Sequence, residues 1–513
     1  MKKFNYTGTC IPAKHYMVDT SKKIDEISRF IEDGEYFTIN RPRQYGKTTS
    51  LTLLENKLKN DYVLISISFA GKNSEFFESV TNFSKLFVNL LNNSLKDNNK
   101  NNLLIEYKPE SNLETISEDI TTLITKSEKK IILFIDEVDE ATNYELFSKF
   151  LGMLRNKFLD AAKGADTTFH SVVLAGVHDI KNLKMKIRGD GEISYNSPWN
   201  IAINFKVNMS FSPEEISTML VDYERDNQTN MDKNLISKRL YEYTSGYPFL
   251  VSRLCCIIDN ELNKDFTENG LEQAMKIILD EDNTLFDDLI KNIERYNELH
   301  DLVEELLIEN RTIDYAQTDR VISLGATYGI FDRSKENKVK IHNKIFEILI
   351  LNHLTASIAR KECRISRYNF RDNFLDDNGD LEFDRILLKF QQFMKENYSD
   401  KDDRFYEKQG RLLLIAFIKP IINGIGFYYV ENQLSFEKRT DMVITHNKKE
   451  YIVELKVWYG EESHKKGLKQ LTEYLEIKSQ KQGYLVIFSF NKNKEYTAKK
   501  YNLDGKEIFE VVV

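Results

Sequence analysis

The stretch EYFTINRPRQYGKTTSLTLLENKL, residues 35–58, decides the fold of the N-terminal half of this chain. It has the pattern of a strand, a loop and a helix, with Gly46-Lys47-Thr48 where the loop meets the helix. Such a loop surrounds phosphates with backbone N–H groups, while a Lys reaches the β- and γ-phosphates and a hydroxyl binds Mg²⁺. The residues expected at a bound nucleotide are Arg43, Tyr45, Gly46, Lys47, Thr48 and Thr49.

The loop departs from the strict Walker A pattern G-x-x-x-x-G-K-[ST] at its first position. Position 41 is Arg instead of Gly, and Pro42 has no N–H to offer a phosphate. These two differences weaken the ring of N–H donors, whereas Arg43 adds positive charge nearby. Because Gly-Lys-Thr at a helix start also arises by chance, a second motif has to support the interpretation.

That second motif is KKIILFIDEVDEA, residues 129–141, an apolar strand that ends in Asp136-Glu137. In P-loop ATPases such an Asp binds Mg²⁺ and the following Glu polarises the attacking water. The stretches 61–71 and 171–179 predict two more strands. Continuous apolar strands alternating with helices indicate an α/β fold with a parallel sheet. Asp136 and Glu137 favour slow ATP turnover over none.

The opening stretch, residues 8–51, resembles the N-terminus of AAA-like ATPases of bacteria and archaea whose Walker A reads R-P-R-x-x-G-K-[ST]. In that family Arg41-Pro42-Arg43 is a normal variant. The resemblance implies ATP and Mg²⁺ as ligands, residues 11–18 as the adenine-side wall, and TSGYPFLVSRLC, residues 244–255, as part of a helical lid. Arg253 would then either face the γ-phosphate or lie on the helix surface. Weaker candidates are Arg188, as an arginine finger, and His178-Asp179, as a sensor.

Near the other end stands DMVITHNKKEYIVELKVW, residues 441–458, which predicts a β-hairpin. A hairpin centred between residues 447 and 448 places Asp441 directly opposite Glu454, and opposed Cβ atoms lie ~4.5–5.5 Å apart. Lys456 shares the face of Glu454, because side chains alternate along a strand. Two carboxylates at this distance suit Mg²⁺, and the lysine could orient or deprotonate a water. We expect the apolar residues 453, 455 and 457 to form the core side. Alternating Glu and Lys is also typical of a solvated strand face.

Residues 385–513 resemble the PD-(D/E)xK nuclease superfamily, the restriction-endonuclease-like fold. The matching positions are Glu407, Asp441, Glu454, Lys456, Gln470, Tyr474 and the strand YLVIFSF at 484–490, with Glu431 as an alternative to Glu407. The resemblance implies Asp441 and Glu454 as Mg²⁺ ligands, Lys456 as the catalytic lysine and Glu407 as an auxiliary acid. Gln470 would shape the site or touch the substrate. Members of the superfamily that lose their catalytic residues keep the fold as a binding module.

Between the two ends, residues 297–310 predict an amphipathic helix, and residues 318–354 predict a helix, two short strands with a charged tip, and a helix. This is a winged-helix pattern, which serves DNA contact and structural packing about equally often. The predicted segments are an ATPase core over 1–210, a helical lid over 211–295, a winged-helix-like domain over 296–360, a linker over 361–384 and a nuclease-like domain over 385–513.

Composition narrows the setting of the protein. No apolar run approaches the ~18 residues of a membrane span, the N-terminus lacks an apolar signal region, and the four cysteines show no metal-binding spacing. We therefore expect a cytoplasmic protein without membrane contact. The net charge is −8, yet residues 404–513 carry 19 Lys and Arg against 14 Asp and Glu. A mildly positive C-terminal domain suits contact with a phosphate backbone.

The sequence thus predicts an ATPase fused to a Mg²⁺-dependent nuclease that acts on nucleic acid, with DNA as the expected partner. Analogy of architecture suggests defence against mobile DNA. ATPases of this class often assemble, which leaves a homo-oligomer open. The alternative is a nucleotide-controlled signalling or DNA- and partner-binding protein whose nuclease fold is not catalytic.

Overall fold

The computed structural model describes residues 2–106, 108, 111–142, 144–177, 185–186, 193–194, 199–308, 311–361, 371–398, 407–422, 426–429, 442–447, 449–489 and 494–513. Five residues singled out in the sequence lie outside these ranges: His178, Asp179, Arg188, Glu431 and Asp441. The chain divides into two compact units, residues 1–274 with 327–329, and residues 275–326 with 330–513.

Helices and strands alternate only in part, since among the described residues the helices between positions 213 and 327 follow one another without a strand between them. The helices are α1 (Ser21–Glu32), α2 (Lys47–Leu58), α3 (Glu75–Glu78), α4 (Val80–Asp97), α5 (Leu113–Lys126), α6 (Glu145–Ala162), α7 (Pro213–Asn227), α8 (Lys233–Thr244), α9 (Pro248–Glu261), α10 (Glu268–Leu279), α11 (Thr284–Arg295), α12 (Asn297–Leu307), α13 (Arg320–Thr327), α14 (Lys344–Lys361), α15 (Phe383–Tyr398), α16 (Glu407–Ile422) and α17 (Glu461–Ile477). The strands are β1 (Phe37–Asn40), β2 (Val63–Ser68), β3 (Ile131–Asp136), β4 (Ser171–Gly176), β5 (Met185–Lys186), β6 (Ile193–Ser194), β7 (Phe331–Arg333), β8 (Val339–Ile341), β9 (Gly426–Tyr429), β10 (Met442–His446), β11 (Lys449–Val457), β12 (Gln482–Phe488), β13 (Ala498–Leu503) and β14 (Lys506–Val512).

The first unit is built on a parallel sheet whose strand order, in the described part of the chain, is β1-β4-β3-β2. Every residue of β3 and β4 is buried, because these inner strands have neighbours on both sides and helices pack on the sheet. The predicted α/β fold with a parallel sheet is confirmed. Since parallel strands end at the same edge, the loop after β1 and Asp136 at the end of β3 come together, with β4 between them.

Four helices, α7 to α10, follow this sheet in the sequence. The first begins with a capping box, in which the Ser212 hydroxyl accepts from the Glu215 N–H and the Glu215 carboxylate accepts from the Ser212 N–H. Gly246 precedes α9 in a left-handed conformation and lies against Phe211, whose N–H donates to the Gly246 carbonyl. A Cβ at position 246 would meet the Phe211 carbonyl oxygen at 1.9 Å, so only glycine fits there.

The second unit contains a mixed sheet with the order β13-β14-β12-β11-β10-β9 among the described strands. Helix α17 covers one face, where Leu471, Tyr474 and Leu475 pack with Ile452 and Leu485. Helices α15 and α16 cover the other face. There Phe390 contacts the rings of Phe417 and Phe488, with centroids 5.4 and 6.5 Å away. The observed order of helix α16, hairpin, helix α17 and strand β12 is the predicted order.

The β10–β11 hairpin has the predicted register. Met442 pairs with Val453, and His446 pairs with Lys449. The strands run further into the turn than expected, because β11 already begins at Lys449 and Asn447 adopts the left-handed conformation. The expectation that one face alone forms the core is wrong. Glu454 is 2% exposed on the opposite face, because α17 covers it.

The middle of the chain also follows the predicted pattern of helix, two short strands and helix, as α13, β7, β8 and α14. Lysines of the β7–β8 hairpin pair with acids, Lys340 with Asp332 at 3.3 Å and Lys338 with Asp314 at 2.5 Å. Part of the segment predicted as a linker contacts the C-terminal hairpin, since Asp380 forms an ion pair with Lys449.

Candidate functional sites

The phosphate-binding loop after β1 is closed by its own lysine. Gly46 has a positive φ of 78° and caps α2, a conformation that favours glycine. The Lys47 ammonium, 7% exposed, donates to the carbonyl oxygens of Arg41 and Pro42, each at 3.0 Å. In a P-loop the lysine at this position donates to β- and γ-phosphate oxygens, and here the same donors bind backbone carbonyls.

Arg41, which replaces the usual first glycine, turns its side chain away from the loop. Its guanidinium donates to the Asn40 carbonyl at 2.8 Å and the Val207 carbonyl at 2.6 Å, and lies 5.0 Å from the centroid of the Phe205 ring. Burial lowers the pKa of Arg41. Arg41 therefore anchors the loop to residues 205–207, and its side chain does not occupy the phosphate side of the loop.

The Walker A hydroxyl and the carboxylate at the end of β3 are in direct contact. Thr48 Oγ1 donates to Asp136 Oδ2 at 2.7 Å, and Asp136 Oδ1 accepts from the Glu137 N–H at 2.9 Å. A hydroxyl beside a carboxylate is a hard oxygen pair of the kind that binds Mg²⁺ next to a phosphate. These two residues would hold the ion, which fits the predicted assignment of both as ligands.

Glu137, which is predicted to polarise the attacking water, has φ 52° and ψ 45°, a left-handed conformation that is uncommon for a residue with a side chain. Burial raises its pKa, and the neighbouring Asp136 raises it further, while Lys47 opposes the shift. Burial likewise lowers the pKa of Lys47, and the acids Glu137, Asp139 and Asp136 oppose that shift. Arg43 is exposed, and its charge lowers both pKa values.

A cavity of about 330 Å³ opens beside this loop. Its polar end is formed by residues 44–50 and Glu137, and its apolar walls by the N-terminal segment and the helices after the sheet. Residues 16–18 of the predicted adenine-side wall line the cavity, whereas Ile11 is 40% exposed and does not. Tyr6, Phe211 and Met219 also line it and were not predicted, and so does Cys10, which lies in the stretch that resembles the family but was assigned no role. The Cys10 N–H donates to Thr49 Oγ1 at 3.2 Å and so links the segment to α2.

Two tyrosines join the loop to the region before α9. Tyr45 contacts Ser210 through their hydroxyls at 2.5 Å, and its ring meets the Tyr247 ring edge-on at 4.6 Å. The Tyr247 hydroxyl donates to the Arg43 carbonyl at 2.6 Å. Arg253 lies elsewhere: its guanidinium pairs with Glu261 at 3.3 Å and sits 4.7 Å from the centroid of the Tyr6 ring. With its side chain 14% exposed, Arg253 is not on the open helix surface, and its role at the γ-phosphate stays a prediction.

In the second unit, Glu454 and Lys456 form an ion pair of 2.7 Å on β11. The Glu454 side chain is 3% exposed and that of Lys456 is 26% exposed, so the carboxylate is buried and the ammonium lies nearer the surface. Both side chains point toward α17, as the predicted shared face requires. A Cβ at Gly467 would lie 3.0 Å from Lys456 Cγ, which shows how closely the helix crosses the lysine.

The other residues predicted for this site divide into two groups. Gln470 and Tyr474 lie on α17, and the Gln470 Oε1 and Tyr474 hydroxyl are buried without a hydrogen-bond partner among the described residues. Glu407 is the first residue of α16, and its side chain is outside the described part, as is Asp441. The structure therefore brings Glu454 and Lys456 together, with α17 and its two buried polar groups over the same sheet face.

The chain belongs to the AAA-like domain family, whose model matches residues 12–347. It is similar to the solved Walker-type ATPase PABY2304 of Pyrococcus abyssi, with 13% identity, 68% of this chain and 99% of that chain covered, and a TM-score of 0.49. Cdc6p from Pyrobaculum aerophilum has 12% identity, 68% and 97% coverage and a TM-score of 0.34. The ORC1 protein of Aeropyrum pernix, solved in complex with DNA, has 10% identity, 67% and 94% coverage and a TM-score of 0.30. No curated protein sequence matches significantly.

Across the described ranges, the helices are each too short or too polar to cross a lipid bilayer.

Proposed function

We propose that the first unit binds ATP with Mg²⁺ and hydrolyses it. The observation that carries this proposal is the contact of Thr48 with Asp136, beside Lys47 and at the end of a cavity large enough for a nucleotide base. Lys47 would exchange two carbonyl oxygens for phosphate oxygens, and Glu137 would orient the attacking water. A bound Mg²⁺ would neutralise the charge that develops on the phosphates.

Substitution of Lys47 tests nucleotide binding. With Lys47→Ala we expect no ATP-induced rise in melting temperature of the full chain, because the phosphates lose their buried cation. Lys57→Ala is the matched control on the same helix, where the side chain is exposed and pairs with Asp25. An ATP-induced shift that Lys47→Ala leaves unchanged would remove this lysine from the site.

We further propose that the C-terminal sheet carries a Mg²⁺-dependent nuclease that cuts nucleic acid, with DNA as the expected substrate. The supporting observation is the ion pair of the buried Glu454 carboxylate with Lys456 on an inner strand, below the helix that carries Gln470. A buried ion pair is seldom more stabilising than apolar residues of similar volume, so this pair on an inner strand favours a functional role. Glu454 supplies a hard oxygen ligand that fits Mg²⁺. Asp441 and Glu407 complete the proposed site as a ligand and an auxiliary acid.

Cutting of plasmid in the presence of Mg²⁺, with and without ATP, tests this second proposal. Lys456→Ala should lose cutting, but it also leaves Glu454 buried without its cation. The double variant Glu454→Gln/Lys456→Met therefore accompanies it, because it removes both charges and keeps similar volumes. We expect wild type to cut and both variants to fail. Equal cutting by all three proteins, or none by wild type under every nucleotide condition, would contradict the nuclease proposal.

One observation favours the alternative of a non-catalytic binding fold. Glu454 is almost fully buried and its Oε1 is already paired with Lys456, so a metal or substrate that takes this oxygen must displace the lysine. Binding of labelled duplex DNA without any cleavage, at every Mg²⁺ and ATP concentration tested, would support this alternative.

Four finer assignments complete the proposal and rest on the sequence. We propose a winged helix over residues 296–360, a cytoplasmic setting, a role in defence against mobile DNA, and assembly with further copies of the chain as an alternative to a monomer. The paired lysines of the β7–β8 hairpin favour structural packing over DNA contact for the winged helix.

A further inference from the structure

The carboxyl end of β4 is hydrogen-bonded to residues that follow each of its two neighbouring strands, β1 and β3. On the β1 side, the Gly176 carbonyl accepts from the Arg41 N–H at 3.1 Å. On the β3 side, the Val177 N–H donates to Asp139 Oδ2 at 2.6 Å. Since Arg41 begins the phosphate-binding loop and Asp139 lies two residues after Glu137, the end of β4 joins the two halves of the proposed ATP site.

The contact with Asp139 depends on a small residue at position 176. A Cβ there would lie 2.8 Å from Val138 Cγ2 and 2.9 Å from Asp139 Oδ2, both closer than real Cβ contacts allow. Val138 and Asp139 have short side chains, so neither can give way without moving the turn. Gly176 does not have a positive φ, and its role is therefore to make room.

The turn that Asp139 holds is the one that positions Glu137. Residues Val138–Glu140 form a single turn of 3-10 helix directly after Glu137. A left-handed conformation for a residue with a side chain costs about 1–2 kcal/mol and persists only where its surroundings enforce it. Asp139 provides one such restraint through Val177, and Thr142 Oγ1 adds another by donating to the Asp139 carbonyl at 2.9 Å.

We infer that Asp139 is a positioning residue for ATP hydrolysis, which fixes Glu137 against the phosphate-binding loop by binding the Val177 N–H at the end of β4. This inference rests on the proposed hydrolysis of ATP. Asp139 does not touch the nucleotide in this role. It sets where the Glu137 carboxylate stands, and misplacement of such a group by about 1 Å costs roughly 10²-fold in rate.

Steady-state ATP hydrolysis by the full chain with Mg²⁺ tests the inference. For Asp139→Ala we expect kcat to fall about 10- to 100-fold, while KM for ATP and the ATP-induced thermal shift stay within about twofold of wild type. Asp139→Asn keeps an acceptor oxygen for the Val177 N–H, so it should keep most of the activity. Glu140→Ala is the control, because Glu140 is an exposed acid on the same turn.

Gly176→Ala tests the same contact by a change on β4. The added methyl group should push the turn away from β4, break the Asp139 contact and lower kcat at least as far as Asp139→Ala does. The double variant Asp139→Ala/Gly176→Ala should then lose little more than Gly176→Ala alone, because that variant has already lost the Asp139 contact.

The outcomes separate this inference from the proposal beneath it. Wild-type kcat in Asp139→Ala, or an Asp139→Asn variant as impaired as Asp139→Ala, would overturn the positioning role while ATP hydrolysis stands. A parallel loss of kcat, nucleotide binding and melting temperature in Asp139→Ala would indicate a merely structural role and also overturn it. No hydrolysis by wild type, despite an ATP-induced shift, would overturn the proposed hydrolysis and this inference together.

Discussion

Lys47 and Lys456 are both partly or fully buried lysines near carboxylates, yet their partners differ. Lys47 donates to two backbone carbonyls at the edge of an open cavity. Lys456 is bound to a buried carboxylate under a helix. A phosphate can replace neutral carbonyls without breaking an ion pair, whereas a ligand that takes Glu454 Oε1 must separate two opposite charges. Exchange of partners at the first lysine therefore has the lower electrostatic cost.

The two tryptophans allow this contrast to be measured, because Trp199 lies in the first unit and Trp458 in the second. Fluorescence of a Trp199→Phe protein follows the second unit alone, and fluorescence of a Trp458→Phe protein follows the first. Each prediction below uses the appropriate background, since a chain of two units need not unfold in one step.

The largest effect is expected from breaking the ion pair of the second unit. Lys456→Ala leaves the Glu454 carboxylate buried without its cation, which costs about 3–5 kcal/mol of unfolding free energy. The measurement is urea unfolding followed by Trp458. Glu454→Gln/Lys456→Met should be close to wild type in stability, because both charges are removed together. If the double variant is as unstable as Lys456→Ala, the loss of stability comes from changed packing and not from the broken ion pair.

Acid should lower the stability of the second unit through His342, the residue that follows β8. Burial lowers its pKa from 6.5 to about 4, although Asp332 opposes the shift. Above pH 6.5 the histidine is neutral in both states and its contribution to stability is fully present. Between pH 6.5 and 4 only the unfolded chain takes up the proton, so the second unit should lose up to about 3 kcal/mol.

His342→Gln should remove this acid-dependent loss, because glutamine does not titrate. The matched control is His353→Gln on α14, where the histidine is 35% exposed and pairs with Glu294. The measurement is urea unfolding at pH 7, 6, 5 and 4, followed by Trp458. Wild type and His342→Gln with the same slope against pH would show that another group controls the acid response.

Features that depend on the local sequence pattern, such as buried strands and the hairpin register, could be predicted from the sequence. The apolar runs before Asp136 and around Glu454 specify buried strands, and the residues between 446 and 449 fix the hairpin register. The departures come from tertiary packing. Nothing in the pattern of β11 shows that α17 covers the Glu454 face, because an alternating Glu and Lys is equally typical of solvent. Cys10 and Phe211 line the cavity from distant segments, and Arg41 donates to the Val207 carbonyl, 166 residues away.

A smaller effect should show that Glu137 is held in a strained conformation for activity. Glu137→Gly removes a side chain from a left-handed residue and should raise the stability of the first unit by about 1 kcal/mol. The same variant should lose ATP hydrolysis. Gln228→Gly is the control, because Gln228 has a similar φ of 53° at the end of α7, away from the phosphate loop. It should gain similar stability and keep its activity. A destabilised Glu137→Gly would show that side-chain contacts outweigh the strain.

The smallest effect is expected from Tyr247, whose hydroxyl donates to the Arg43 carbonyl at 2.6 Å. Tyr247→Phe removes this hydrogen bond and keeps the ring against Tyr45, so the first unit should lose about 1 kcal/mol or less. Because the bond restrains the loop that Lys47 closes, the variant should also weaken ATP binding by severalfold. Melting temperatures measured against ATP concentration check both the stability without ATP and the ATP affinity. Tyr243→Phe is the control on α8. An unchanged ATP affinity with lowered stability would mean that the loop keeps its shape without Tyr247, and that the Lys47 hydrogen bonds and the Gly46 turn are enough to hold it.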